Sequence, residues 1–123
     1  MTSGITNDDD VIYKIARHAE WRDAVTRGRY HGSADDMRDG FIHFSTASQL
    51  EGTARKHFSG QRDLLLIAIR ASVLGAALRW EPSRGGALFP HLYAALDPSA
   101  ALWSRPLALD SEGVPAVAAA LGA

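Results

Sequence analysis

The run DLLLIAI, Asp63 to Ile69, restricts the possible fold more than any other stretch of this chain. Its apolar residues do not alternate with polar ones, so neither face of a strand built from them can be left to water. It is far too short to span a bilayer as a helix. The chain must therefore bring apolar cover to both sides of one strand, and a sheet with one solvated face is excluded. With 123 residues, one domain can supply that cover without disulfides or metal.

The rest of the chain offers the cover in short pieces. Val11 to Ala16 (VIYKIA) is rich in β-branched and aromatic residues and reads as a strand. His18 to Arg27 reads as a helix, with Trp21, Ala24 and Val25 on one face and Gly28 beyond its end. Tyr30 to Gly40 reads as a loop, because Ser33, Asp35, Asp36, Asp39 and Gly40 carry turn chemistry. Phe41 to Ser45 reads as a strand. Thr46-Ala-Ser-Gln49 is a capping box that opens a helix running to about Phe58, and Gly60 ends it. Ala77 to Glu81, His91 to Leu96 and Leu102 to Leu109 read as further strands. Pro82 to Pro90 is a loop, and Val114 to Leu121 a weak helix. No linker or repeat divides the chain, so residues 11–123 are expected to form a single α+β (mixed α/β) domain behind a disordered acidic tail at residues 1–10.

Charge narrows the partners. Thirteen basic and 14 acidic residues leave a net charge of −1, which gives no bulk attraction to nucleic acid or to an anionic membrane. Cysteine is absent, which removes thiolate nucleophiles and thiolate metal sites. MTSGITNDDD has no apolar core of a signal peptide, so a soluble cytoplasmic protein is expected.

Two stretches carry candidate chemistry. In DGFIHFSTASQ (39–49), strand geometry puts Phe41, His43 and Ser45 on one face, just where a helix begins. The N–H groups and hydroxyls of Thr46 and Ser48 could hold an anion beside the His43 imidazole, or Thr46 and Gln49 could simply be a cap. In RWEPSRGGALFPHLY (79–93), Glu81 ends a strand, Arg84 sits in a Gly-rich loop, and His91 and Tyr93 share a strand face. The plainer reading there is a hairpin with Glu81 and Arg84 as a solvated ion pair. Together they provide enough for acid–base chemistry or for binding a polar ligand such as a nucleotide-like or acidic metabolite. There is no GxSxG elbow and no HxH or HxxxH spacing for a metal. His18, His31 and His57 read as surface or boundary residues, and Tyr13 and Lys14 as further polar-tipped groups.

Through IYKI (12–15), Trp21, DGFIHFSTASQ and WEPSRGGALFPHLY, the sequence resembles the mainly bacterial family called domain of unknown function 952. More loosely it is similar to the ADP-ribosyltransferase fold. Ser45-Thr46-Ala47-Ser48 resembles a Ser-Thr-Ser motif, and Ile42-His43-Phe44 partly resembles a block of RNA 2′-phosphotransferases. The resemblance implies a bent or split, mainly antiparallel sheet with two to three helices and a cleft for NAD, ADP-ribose or a related nucleotide. NAD would then be a substrate in ADP-ribosyl transfer or hydrolysis, and no other cofactor is implied. Thr46 and Arg84 would hold the pyrophosphate, His43 or His91 would place the ribose or move protons, and Glu81 would stabilise charge at the ribose carbon. Tyr13, Ser45, Ser48 and Tyr93 would complete the binding surface. The alternative is a non-catalytic metabolite-binding or protein-interaction module.

Overall fold

The computed structural model describes residues 10–122, apart from the side chain of Arg84, so the expected tail lies outside the described residues except for Asp10. The elements run β1 (Val11–Arg17), α1 (His18–Arg27), α2 (Ala34–Asp39), β2 (Ile42–His43), α3 (Leu50–His57), β3 (Leu64–Arg70), β4 (Leu78–Pro82), β5 (Leu88–Leu92), β6 (Ala101–Leu107) and α4 (Val117–Ala120). The apolar run is β3, the central strand of an antiparallel sheet ordered β1-β3-β6.

Both faces of β3 are covered. Leu65, Ile67 and Ile69 lie with Ile12 and Ala16 in one cluster, packed by Trp21 and Ala24 of α1 and by Ile42, Phe44 and Leu92. Leu64 and Leu66 lie with Ile15 in a second cluster under Leu50 and Ala54 of α3 and Val117 of α4. Burying each such side chain is worth about 1.5–3 kcal/mol relative to exposure, which is why an unalternating strand is stable here.

A second antiparallel sheet, ordered β2-β5-β4, stands beside the first. Tyr13 of β1 joins the two by pairing with Ser45, just past β2: each N–H donates to the other's carbonyl, at 2.8 and 2.9 Å. The fold is thus α+β, with two three-stranded antiparallel sheets.

Several boundaries differ from expectation, each for a local reason. The segment Tyr30 to Gly40 is not all loop, because Ser33 and Asp36 form a reciprocal capping box that starts α2. With α2 the described residues hold four α-helices rather than two or three. The strand expected at Phe41 to Ser45 is paired as a ladder only at Ile42 and His43. The Phe44 N–H donates to the Pro90 carbonyl at 3.0 Å, but Pro90 has no N–H to return, and the ladder ends. β5 begins at Leu88, inside the expected loop, and stops at Leu92, after which Leu96 pairs instead with Tyr30. The Thr46 cap opens a 3-10 turn, Ala47–Gln49, that leads into α3, and the last helix is confined to Val117–Ala120.

Tyr30 packs edge-on against Trp21 with ring centroids 5.3 Å apart. Its buried hydroxyl has no hydrogen-bond partner among the described residues. Tyr30→Phe keeps the ring and removes the unpaired oxygen, so the melting temperature should stay level or rise. A loss of about 1 kcal/mol or more in a denaturant melt would show that the hydroxyl is satisfied after all.

Candidate functional site

The site is built around Asp36. Gly32, at φ +102°, turns the chain so closely over this residue that a Cβ there would lie 2.5 Å from the Asp36 Cβ. Ser33 then caps α2, its Oγ accepting the Asp36 N–H at 3.2 Å while Asp36 Oδ2 accepts the Ser33 N–H at 2.9 Å. The Asp36 carboxylate, buried to 1% exposure, also meets Lys14 Nζ of β1 at 2.7 Å. It accepts the backbone N–H of His43 at 3.2 Å and the His43 Nδ1–H at 2.6 Å.

Burial would push the Asp36 carboxyl up, but the His43 hydrogen bond, the Lys14 ammonium and the Ser33 N–H outweigh it. Together they hold it well below the usual carboxylate range. Burial pulls the Lys14 ammonium below its ordinary value, with Asp36 opposing that fall. The second ring nitrogen of His43, Nε2, lies 3.1 Å from Asp39 Oδ2.

His43 and His91 are register partners across β2 and β5, with ring centroids 5.5 Å apart. His91 is buried, and its Nδ1–H donates to Glu81 Oε1 at 2.8 Å. Tyr93 donates its hydroxyl to the same Glu81 oxygen at 2.8 Å. The His91 hydrogen bond, and then that of Tyr93, holds the Glu81 carboxyl below its ordinary value. The ring of Phe41 stacks on His91 at 4.0 Å and 22°, covering it. Arg79 lies over the Tyr93 ring at 4.8 Å.

A cavity of about 310 Å³ opens between β1, α2, β2, α3 and the β4–β5 hairpin. His43, His91, Tyr13 and Ser45 line it, so it brings together one residue or more from each candidate stretch. Ser45 Oγ is 2.9 Å from Thr53 Oγ1. The other expected residues stand off its lining: Glu81 and Tyr93 beyond His91, and Thr46 and Ser48 bonded to each other at 3.2 Å. The Thr46 N–H is taken by Gln49 Oε1 at 3.0 Å. Arg84 belongs to the hairpin turn Arg84–Gly86.

The sequence reading missed Asp36, Asp39 and Thr53, all of which line the cavity. His57, expected at the surface, is exposed and also lines it. The spacing Ser33-x-x-Asp36 was the available signal for Asp36, since it matches a capping box as well as a turn. Among the described residues, no group of three or more His, Asp or Glu is placed to hold a metal ion. No helix among them is long and apolar enough to cross a membrane.

The model of a family described as protein of unknown function (DUF952) matches residues 15–104. The chain belongs to the DUF952 family. The matched span of this DUF952 chain holds Asp36, Glu81 and both paired histidines, while Tyr13 and Lys14 fall just before it. A crystal structure of protein CC0527 from Caulobacter crescentus is 49% identical, covers 92% of this chain and 99% of its own, and superposes with a TM-score of 0.88. The solution NMR structure of the same protein, also 49% identical, covers 89% of this chain and 95% of its own, with a TM-score of 0.81. No curated protein matches this chain significantly.

Asp36→Asn leaves Lys14 buried without its counter-charge and should cost about 3–5 kcal/mol in a denaturant melt. Lys14→Met should cost less, because Asp36 keeps three other hydrogen bonds. Asp36 holds its proton less tightly folded than unfolded, so its stabilisation is complete above the unfolded carboxylate value of about 3.9. That stabilisation is lost as pH falls from there toward the folded value, and an acid melt of Asp36→Asn should lack this part of the loss. Gly32→Ala should displace Asp36 and shift the His43 ring resonances as well as lower the melting temperature.

Proposed function

We propose that this DUF952 domain binds a nucleotide-type small molecule, NAD, ADP-ribose or a relative, in the cleft beside His43 and His91. We further propose that His91 moves a proton on it during ADP-ribosyl transfer or hydrolysis. Glu81 carries this reading. By accepting the Nδ1–H of a buried His91 it fixes the tautomer in which Nε2 is the proton acceptor, in a ring that lines the cavity. A positioned imidazole of this kind contributes about 10²–10⁴ to a proton-transfer step. Glu81 is a positioning residue in this scheme. His43, held through both ring nitrogens by Asp36 and Asp39, serves as a fixed wall.

The cavity, at about 310 Å³, lies at the lower end of ligand-pocket sizes and suits one end of a dinucleotide. A second reading, recognition without turnover, draws support from the place of Glu81. Its carboxylate is bonded to His91 and Tyr93 and is off the cavity lining, away from where charge would develop on a ribose.

Amide and histidine NMR spectra titrated with NAD, ADP-ribose, AMP and inorganic phosphate test the site. Saturable shifts should concentrate at His43 to Ser45 and Phe89 to His91, and His43→Ala and His91→Ala should each abolish them while keeping a folded spectrum. Binding that survives both substitutions overturns the assignment. Release of nicotinamide from NAD, lost in His91→Ala, separates the enzyme from the binding module.

A further inference from the structure

The charges of the cleft are arranged in an order that constrains what can enter it. Lys14 is spent on Asp36 at 2.7 Å, a contact that leaves the pair neutral whichever partner holds the proton. Arg38 meets two carboxylates, Asp35 and Asp39, each at 3.1 Å. His43 faces Asp36 and Asp39, and His91 faces Glu81. Both fixed cations of the lining, Lys14 and Arg38, are thus already paired with the lining carboxylates Asp35, Asp36 and Asp39. The N–H of Thr46, just before the 3-10 turn, is likewise taken, by Gln49. An anion entering here would meet Lys14, Arg38 and His43 donors that already point at carboxylates, and it would lie against Asp35, Asp36 and Asp39. Phe58 and Phe89 offer apolar lining on the same cavity.

We infer that the end of the ligand received by this cleft is uncharged or cationic, and that phosphate and carboxylate groups are kept outside it. This rests on the small-molecule reading of the same site, which it deepens by naming the charge class of the bound group. A nucleotide would then enter by its base and ribose and leave its phosphates at the rim, and an acidic metabolite would be a poor ligand.

The test uses the full chain and three rings of one shape: benzamidine, benzamide and benzoate, followed by NMR shifts at His43, Ser45 and His91. Benzamidine should bind at least tenfold more tightly than benzoate, with benzamide between them, and inorganic phosphate should not compete. D35N, which touches Arg38 and neither imidazole, should narrow the ratio between benzamidine and benzoate about threefold. Adenosine and AMP, run alongside, should bind with affinities within about threefold of each other.

Benzoate binding as tight as benzamidine, or phosphate displacing benzamidine, overturns the charge assignment even if nucleotides bind. Benzamidine binding with the expected order while adenosine, AMP and NAD produce no shifts upholds the charge assignment and removes the nucleotide reading. Absence of binding by every probe overturns both.

Discussion

One carboxylate, that of Asp36, ties together three segments that the chain visits separately. It takes Lys14 from β1, the Ser33 N–H from the start of α2, and both the backbone and the ring of His43 from β2. A buried carboxylate is costly unless its lone pairs are filled, and here four donors fill them. The same arrangement sets the edge of the cleft: where Asp36 goes, His43 goes, and the register across β2 and β5 then puts His91 beside it. Gly32 is the condition for all of this, since only a residue without a Cβ leaves room for Asp36.

The histidine pair shows how the second sheet converts ordinary strand geometry into a polar site. Register partners on neighbouring strands present their side chains on one face. On the opposite face Ile42 and Leu92 enter the core, so the rings cannot turn away without unpacking it. Each imidazole has its Nδ1 on a different carboxylate, Asp36 for one and Glu81 for the other. Phe41 lies flat against His91 and limits its approach to solvent.

Much of this was legible in the sequence, and the omissions share a cause. DLLLIAI announced its two-sided burial because a strand covered on both faces has no reason to alternate. Thr46 and Gln49 announced a cap because the motif is local and uses only neighbours. The polar stretches around His43 and His91 could each be seen, but their pairing depends on which strands are neighbours, a fact that no local pattern contains. Lys14 reads as a polar residue on a strand, and its burial makes sense only once Asp36 is placed against it. Asp36 itself was hidden among turn-forming residues, because Ser, Asp and Gly serve a loop and a helix start equally well. Pro90 shortened the ladder in a way the residue type could signal, yet its effect fell on β2, a distant partner.

The hairpin between β4 and β5 is closed at its base. The Ser83 N–H donates to Ala87 O at 2.9 Å, and Gln49 Nε2 reaches across to hold Leu88 O at 2.8 Å. These ties fix where β5 begins, and so fix Phe89 and His91, independently of the residues at the tip. Ser83 still touches the cavity. The tip is therefore an exchangeable part on a fixed mount. It can be lengthened, shortened or recomposed while the imidazole pair beneath keeps its geometry.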